Sequence, residues 1–204
     1  MEKDISTEEK IKEAARQIFH QKGYAGTRTR DIAEAAGINL ALLNYYYRSK
    51  EKLFEIVMQE SIVNLVGSLR KIWTNETSSL KEKISFIVDS YIDILMKNPN
   101  LPIFVLGEIQ ANPDKFIERM GLTPTYLSSM PLFKQLEEQL KITGLSNLHP
   151  MHMIVNILSM TIFPFLGKPA LKGIAEMDES AYVQFLEDRR YLIPLWVNKM
   201  LKIE

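Results

Sequence analysis

The chain has 204 residues, 46% of them hydrophobic, and its 25 basic and 25 acidic side chains give a formal net charge of zero. This length and apolar content suffice for a packed core in one large or two small domains and exclude a disordered polyelectrolyte; the neutral balance does not by itself advertise nucleic acid. The absence of cysteine excludes disulfides and thiolate metal sites and suits a reducing cytoplasm.

The N-terminus, MEKDISTEEKIKEAA, is charged from its second residue and lacks the apolar core of a secretory leader. Ser6-Thr7-Glu8-Glu9 reads as a capping box, and the helix it opens sets Ile11, Ala14, Ala15, Ile18 and Phe19 at i, i+3, i+4, i+7 and i+8. This helix is expected to end at Gly23, with His20 a solvent-facing cation near its end.

Residues 27–54, TRTRDIAEAAGINLALLNYYYRSKEKLF, read as a short helix, a tight turn, a second short helix and the start of a third. Thr27 is expected to cap the first of these, and Gly37 stops it, because glycine takes φ > 0 without a Cβ clash. Asn39 caps the next helix, with Ala33 permitting a close crossing and Ile38 and Leu43 pinning it from inside. Asn39, Leu40, Ala41, Asn44 and Tyr45 then project outward, a mixture suited to base edges, thymine methyls and phosphates. From Gly23 to Lys50 the basic residues Arg28, Arg30, Arg48 and Lys50 outnumber the acidic Asp31 and Glu34, leaving a local charge of +2.

The run T-x-x-x-DIA-x-x-AGI-x-x-x-LL-x-YYY-x-SKEKLF resembles the N-terminal domain of the TetR family of bacterial transcriptional repressors. Two positions depart from the family pattern: Asn44 stands where Tyr is usual and Tyr47 where Phe is usual, although the Tyr47 ring can still pack. By resemblance and geometry together, Arg28, Thr29 and Arg30 are expected at the N-terminal end of the second helix, against phosphate or a guanine edge. Asn39, Leu40, Ala41, Asn44 and Tyr45 are then expected in the major groove, and Tyr46 and Lys50 on phosphates.

Ser49 and Lys50 begin a helix running to about Trp73, with Leu65, Leu69 and Ile72 toward its far end, and Leu80 to Lys97 repeats the amphipathic pattern. Asn98-Pro99-Asn100 breaks the chain before a helix from Leu101 to Gln110, and Asn112-Pro113 opens another, with Asn112 as its cap. Gly121 to Pro124 reads as a turn, the stretch after it to Lys141 as a further helix interrupted or started at Pro131, Pro150 to Phe163 as a largely buried helix, and Gly167 to Met177 as a loop. Asp178 caps a last helix, Ala181 to Met200. The uncharged stretch 148–167 has too many polar residues and prolines for a membrane span.

No phosphate-binding loop, dinucleotide fingerprint or nucleophile elbow is present, so an enzyme is not expected, nor a cofactor. His149 and His152 lack a placed carboxylate and make no convincing metal site, so none is expected. Met96, Phe104, Phe116, Met120, Tyr126 and Phe133 fall in or beside broken helices and are the candidate walls of a pliable apolar cavity, with Glu108 in the same region.

The expected fold is all-α: a three-helix helix-turn-helix DNA-binding domain over residues 1–48 and a larger helical ligand-binding and dimerisation domain over 49–204. The expected function is a cytoplasmic, sequence-specific repressor, a homodimer on a palindromic operator in double-stranded DNA, released by a small, largely apolar effector, with no membrane partner. The competing expectation is a helical ligand-binding or scaffold protein whose helix-turn-helix no longer binds DNA. The dimer is expected to pair the two C-terminal helices through Ile154, Ile157, Leu158, Ile162, Phe185, Tyr191, Leu192, Leu195 and Trp196.

Overall fold

The structure is a computed structural model that describes residues 6–111, 113–121 and 123–203; Asn112 and the side chain of Leu65 fall outside the described residues. In chain order the helices are α1 Thr7–Gly26, α2 Thr29–Ala35, α3 Leu40–Tyr46, α4 Lys50–Trp73, α5 Leu80–Lys97 and α6 Leu101–Ala111. They continue as α7 Pro113–Met120, α8 Pro124–Ser129, α9 Pro131–Ile142, α10 Met151–Leu166, α11 Lys168–Ile174 and α12 Glu179–Met200. The fold is all-α, with no strand among the described residues.

The segment expected as a loop, Gly167 to Met177, is largely helical, and the helix expected to be interrupted or started at Pro131 is interrupted there, with α8 before it and α9 after. Thr123 accepts the Tyr126 amide at 3.2 Å and Pro124 occupies the first turn, which suffices to start α8. Lys168-Pro169 starts α11 in the same way, and the Lys168 and Lys172 ammonium groups clamp Glu179 at 2.6 and 2.8 Å, joining α11 to α12. Among the described residues no single helix is long and apolar enough to cross a membrane, and α10 and α11 meet at a bend of 73°.

The centre of the larger part is α5, which packs against α4, α9, α10 and α12. Its capping box, Ser79 with Glu82, fixes the start, and Ile84, Ile87, Val88, Ile92 and Leu95 bury its apolar stripe. The smaller part, α1 to α3, is too short to hide its own apolar face without α4. Ile11, Ala15, Ile32, Leu43, Leu53 and Val57 are fully buried in the core. Lys12 and Arg16 on α1 both hold Glu60 on α4, the lysine at 2.6 Å, so α1 and the middle of α4 are charge-paired as well as packed.

At 24 residues, α4 spans about 36 Å. One end carries α1 to α3 and the other end, at Trp73, reaches a cavity between α5, α6, α7, α8, α9 and α10.

Candidate nucleic-acid interface and cavity

The turn between α2 and α3 forms as its residues dictate. Gly37 takes φ +68°, Ile38 returns its amide to the Ala33 carbonyl at 3.0 Å, and the Asn39 side chain accepts the Leu42 amide at 2.8 Å. Ala33 and Leu43 are buried between the helices. The cap of α2 is not Thr27. Thr27 is buried, and its hydroxyl donates to the Gly23 carbonyl at 2.6 Å, where α1 breaks at φ +67°. The start of α2 is held instead by Asp31, whose carboxylate accepts the Arg28 amide at 3.1 Å and pairs with Lys22 at 3.0 Å. Those contacts hold the Asp31 carboxyl below its ordinary value, the Lys22 hydrogen bond first among them.

Around this frame the outward residues form one surface. Arg28, Arg30, Asn39, Ala41, Asn44, Tyr45 and Tyr46 are exposed, and Thr29 and Leu40 are half-buried. No carboxylate among the described residues forms an ion pair with Arg28 or Arg30, so both guanidinium groups are available to phosphate. In the tyrosine run, Tyr45 is 80% exposed, Tyr46 41% and Tyr47 4%. The Tyr45 and Tyr46 rings meet edge to face at 5.5 Å, while burial pushes the Tyr47 hydroxyl up to about 12. Lys50 does not project freely. Its ammonium donates to the carbonyls of Tyr24 and Thr27 at 3.0 and 3.1 Å and sits 4.2 Å from the Tyr24 ring centroid. An ammonium has three donors, so one remains for a phosphate after these two.

The cavity at the far end of α4 has two lobes, of about 210 and 330 Å³. Trp73, Tyr91 and Leu158 line both lobes. Of the candidate wall residues, Phe116 and Met120 line the larger lobe and Phe133 the smaller. The other three are elsewhere. Met96 faces a polar groove between α1, α5 and α12, Phe104 packs edge to face on Phe54 at 5.8 Å, and the Tyr126 ring lies under Arg70 at 5.5 Å. Glu108 is half-buried on α6 and lines neither lobe.

His20 and His149 make hydrogen bonds within the chain, and part of the expected dimer stripe lies elsewhere. His20 is exposed, yet its Nε2 lies 2.6 Å from the Met96 carbonyl at the end of α5. His149 accepts the Met151 amide at 3.1 Å and so helps to start α10. In the stripe expected at a dimer interface, Ile157 is buried within the chain, and Ile154, Leu158 and Ile162 wall the cavity. The exposed large apolar residues are Val155 and Phe163 on α10 and Val183, Tyr191, Trp196 and Met200 on α12.

Residues 11–57 match the model of the bacterial regulatory proteins, tetR family. Over 97% of its length the chain is 27% identical to "Probable HTH-type transcriptional regulator YttP" of Bacillus subtilis strain 168, covering 95% of that protein. Residues 11–57 thus match the TetR-family N-terminal domain, and over its full length the chain is similar to a regulator of the helix-turn-helix type. In fold it is similar to a transcriptional regulator of the TetR/AcrR family from Thermobifida fusca, with a TM-score of 0.58, 16% identity and coverage of 92% of this chain and 96% of the other. It is similar also to the regulator FadR from Bacillus subtilis in complex with stearoyl-CoA, with a TM-score of 0.52, 18% identity and 95% coverage of both. As a TetR-type protein the chain is a DNA-binding transcriptional regulator, of a class that is not enzymatic. The matched residues include α2, the turn and α3.

Proposed function

We propose that this TetR-family chain is a cytoplasmic repressor that binds a palindromic operator as a homodimer and is released by a small, largely apolar ligand. The reader is residues 1–48, and residues 49–204 bind the ligand and form the dimer. Arg28, Thr29 and Arg30 hold phosphate or a guanine edge. Asn39, Leu40, Ala41, Asn44 and Tyr45 enter the major groove, and Tyr46 and the third donor of Lys50 hold phosphates. The dimer face is the exposed apolar strip of Val155, Phe163, Tyr191 and Trp196, where small Ser159 lies between Val155 and Phe163 at helical spacing and permits close approach.

The observation that carries this reading is that one helix serves both places. The first residue of α4, Lys50, is bonded to the loop before α2, and its last, Trp73, walls both lobes of the cavity. A ligand that displaces Trp73 therefore moves a rigid lever whose other end carries the reader. Two readers must sit on successive major grooves about 34 Å apart, and a differential binding energy of about 1 to 3 kcal/mol per site is enough to weaken the operator complex 5- to 150-fold. A structural neighbour solved with stearoyl-CoA supports a chain-like ligand for a cavity of this character.

The test is operator binding by fluorescence anisotropy with and without a compound that occupies the cavity. Linkage requires operator DNA to weaken the compound by the same factor that the compound weakens the operator. Equal affinities in the two titrations would show that the cavity does not control the reader.

A further inference from the structure

Pro164 lies inside α10 and has no amide, so the Met160 carbonyl one turn earlier cannot receive its helical hydrogen bond. Arg189 of α12 supplies one instead, its Nε and Nη2 donating to that carbonyl at 3.2 and 2.6 Å. The guanidinium is half-buried, 5.4 Å from the Phe185 ring centroid and 5.6 Å from that of Trp196. No carboxylate among the described residues forms an ion pair with it, and burial alone lowers it from its ordinary value. Of the three carboxylates on α12, Glu179 is held by Lys168 and Lys172, and Glu187 by Arg190. The third, Asp188, is exposed; it accepts the Gln184 side-chain amide at 2.8 Å and pairs with no cation among the described residues. One face of α12 thus carries an unmatched cation and an unmatched anion at neighbouring positions, among the apolar groups of the proposed dimer strip.

We infer that α12 packs antiparallel against its copy about a two-fold axis between residues 188 and 189, so that Arg189 of each chain pairs with Asp188 of the other. This rests on the reading of the chain as a homodimer through that strip. A two-fold axis sets residue i on j and j on i, so one copy can match both charges at once, and burying either without a counter-charge is costly. The rest of the face agrees with this register. It sets half-buried Phe185 on half-buried Leu192, the exposed small Ala181 on the exposed Trp196, and the cap Asp178 on the exposed Lys199. These positions fall on the same side of the helix at 3.6 residues per turn. The apolar contacts supply the area, and the charges and the Ala181–Trp196 fit set the register. Arg189 is already fixed by Met160 and two rings, so it loses little freedom on pairing.

Sedimentation equilibrium of the full chain tests the inference. Asp188→Asn should raise the dimer Kd about tenfold, with two pairs lost per dimer, and Asp188→Glu should stay near the unsubstituted chain. Asp188→Lys, which sets ammonium against guanidinium, should raise it further, with the excess shrinking in high salt. Ala181→Trp should weaken the dimer by crowding Trp196 of the partner subunit, and Trp196→Ala in the same chain should restore it. Residues 181, 188 and 196 are exposed, so these changes leave the core of each chain intact. A dimer whose Kd is unmoved by Asp188→Asn and Asp188→Lys would overturn the inference and leave the dimer reading standing, as would an Ala181→Trp defect that Trp196→Ala does not relieve. A monomeric unsubstituted chain would overturn both.

Discussion

The side-chain amide of Asn100 donates to the main-chain carbonyl of Phe19 across 3.1 Å, joining the turn before α6 to the last regular turn of α1. Beside it, His20 of α1 meets the Met96 carbonyl at 2.6 Å. The residues after Asn100 are Leu101 and Pro102, which line the larger lobe of the cavity. The α1–α3 unit is therefore fastened to the cavity wall at α1 as well as through α4. Asn100→Ala removes one hydrogen bond, about 0.5 to 1.5 kcal/mol, and should leave operator affinity of the free protein within about threefold. The drop in operator affinity caused by ligand should shrink by several-fold, read as the ratio of affinities with and without ligand. An unchanged ratio would confine the coupling to α4.

The three tyrosines in succession give a contrast within one helix end. Tyr45→Ala, at an exposed position, should change stability by less than about 0.5 kcal/mol and weaken operator binding by about 1 to 3 kcal/mol. Tyr47→Ala empties a core site and should cost about 3 to 5 kcal/mol of stability. Chemical unfolding and anisotropy on both variants separate the two roles, and a Tyr45→Ala protein with full operator affinity would remove Tyr45 from the interface.

Lys50 should affect both quantities. Lys50→Ala breaks two charge-assisted hydrogen bonds and a contact with the Tyr24 ring, so a stability loss of about 1 to 3 kcal/mol is expected. It should also lower operator affinity for all sequences alike and flatten the salt dependence by about one charge. Lys50→Ala with an unaltered salt slope would mean that this ammonium serves only the fold.

How much of this was legible in the sequence depends on the range of the interaction concerned. The turn at Gly37 and the caps at Asn39, Ser49 and Asp178 are local, so the residues that make them are neighbours in the chain and readable there. Thr27 misleads because its buried hydroxyl is claimed by Gly23 of the preceding helix, a contact that capping statistics do not contain. α8 and α11 are short and begin with proline in their first turn, where the same residue signals a turn or a helix start. The cavity is the least legible part. Its walls come from α4, α5, α6, α7, α8, α9 and α10, so residues grouped by broken-helix context included Phe116, Met120 and Phe133 but not Trp73 or Tyr91, which look like ordinary members of amphipathic stripes.

Alkaline pH tests the buried tyrosines. The hydroxyls of Tyr47, Tyr91 and Tyr182 are each pushed up to about 12 from an ordinary value of 10.0, with burial the largest cause in every case. The folded chain thus keeps protons that the unfolded chain releases, so the stability tied to them is whole below pH 10 and is lost as pH rises through about 12. The denaturant midpoint should fall across that window, and these three of the eight tyrosines, together with Tyr24, which its hydrogen bond to Glu51 also raises, should ionise late in a titration of tyrosinate absorbance. All of them ionising near the ordinary value in a still-folded protein would contradict these environments.

The central claim is that α3 and its flanking residues read a two-fold symmetric DNA sequence. Selection of bound sequences from a random duplex library by the full-length protein tests it most directly. The account predicts enrichment of a palindrome whose half-sites lie about one helical turn apart, with enrichment abolished by Arg30→Ala combined with Tyr45→Ala. Recovery of no preferred sequence, or the same palindrome recovered by the doubly substituted protein, would contradict it.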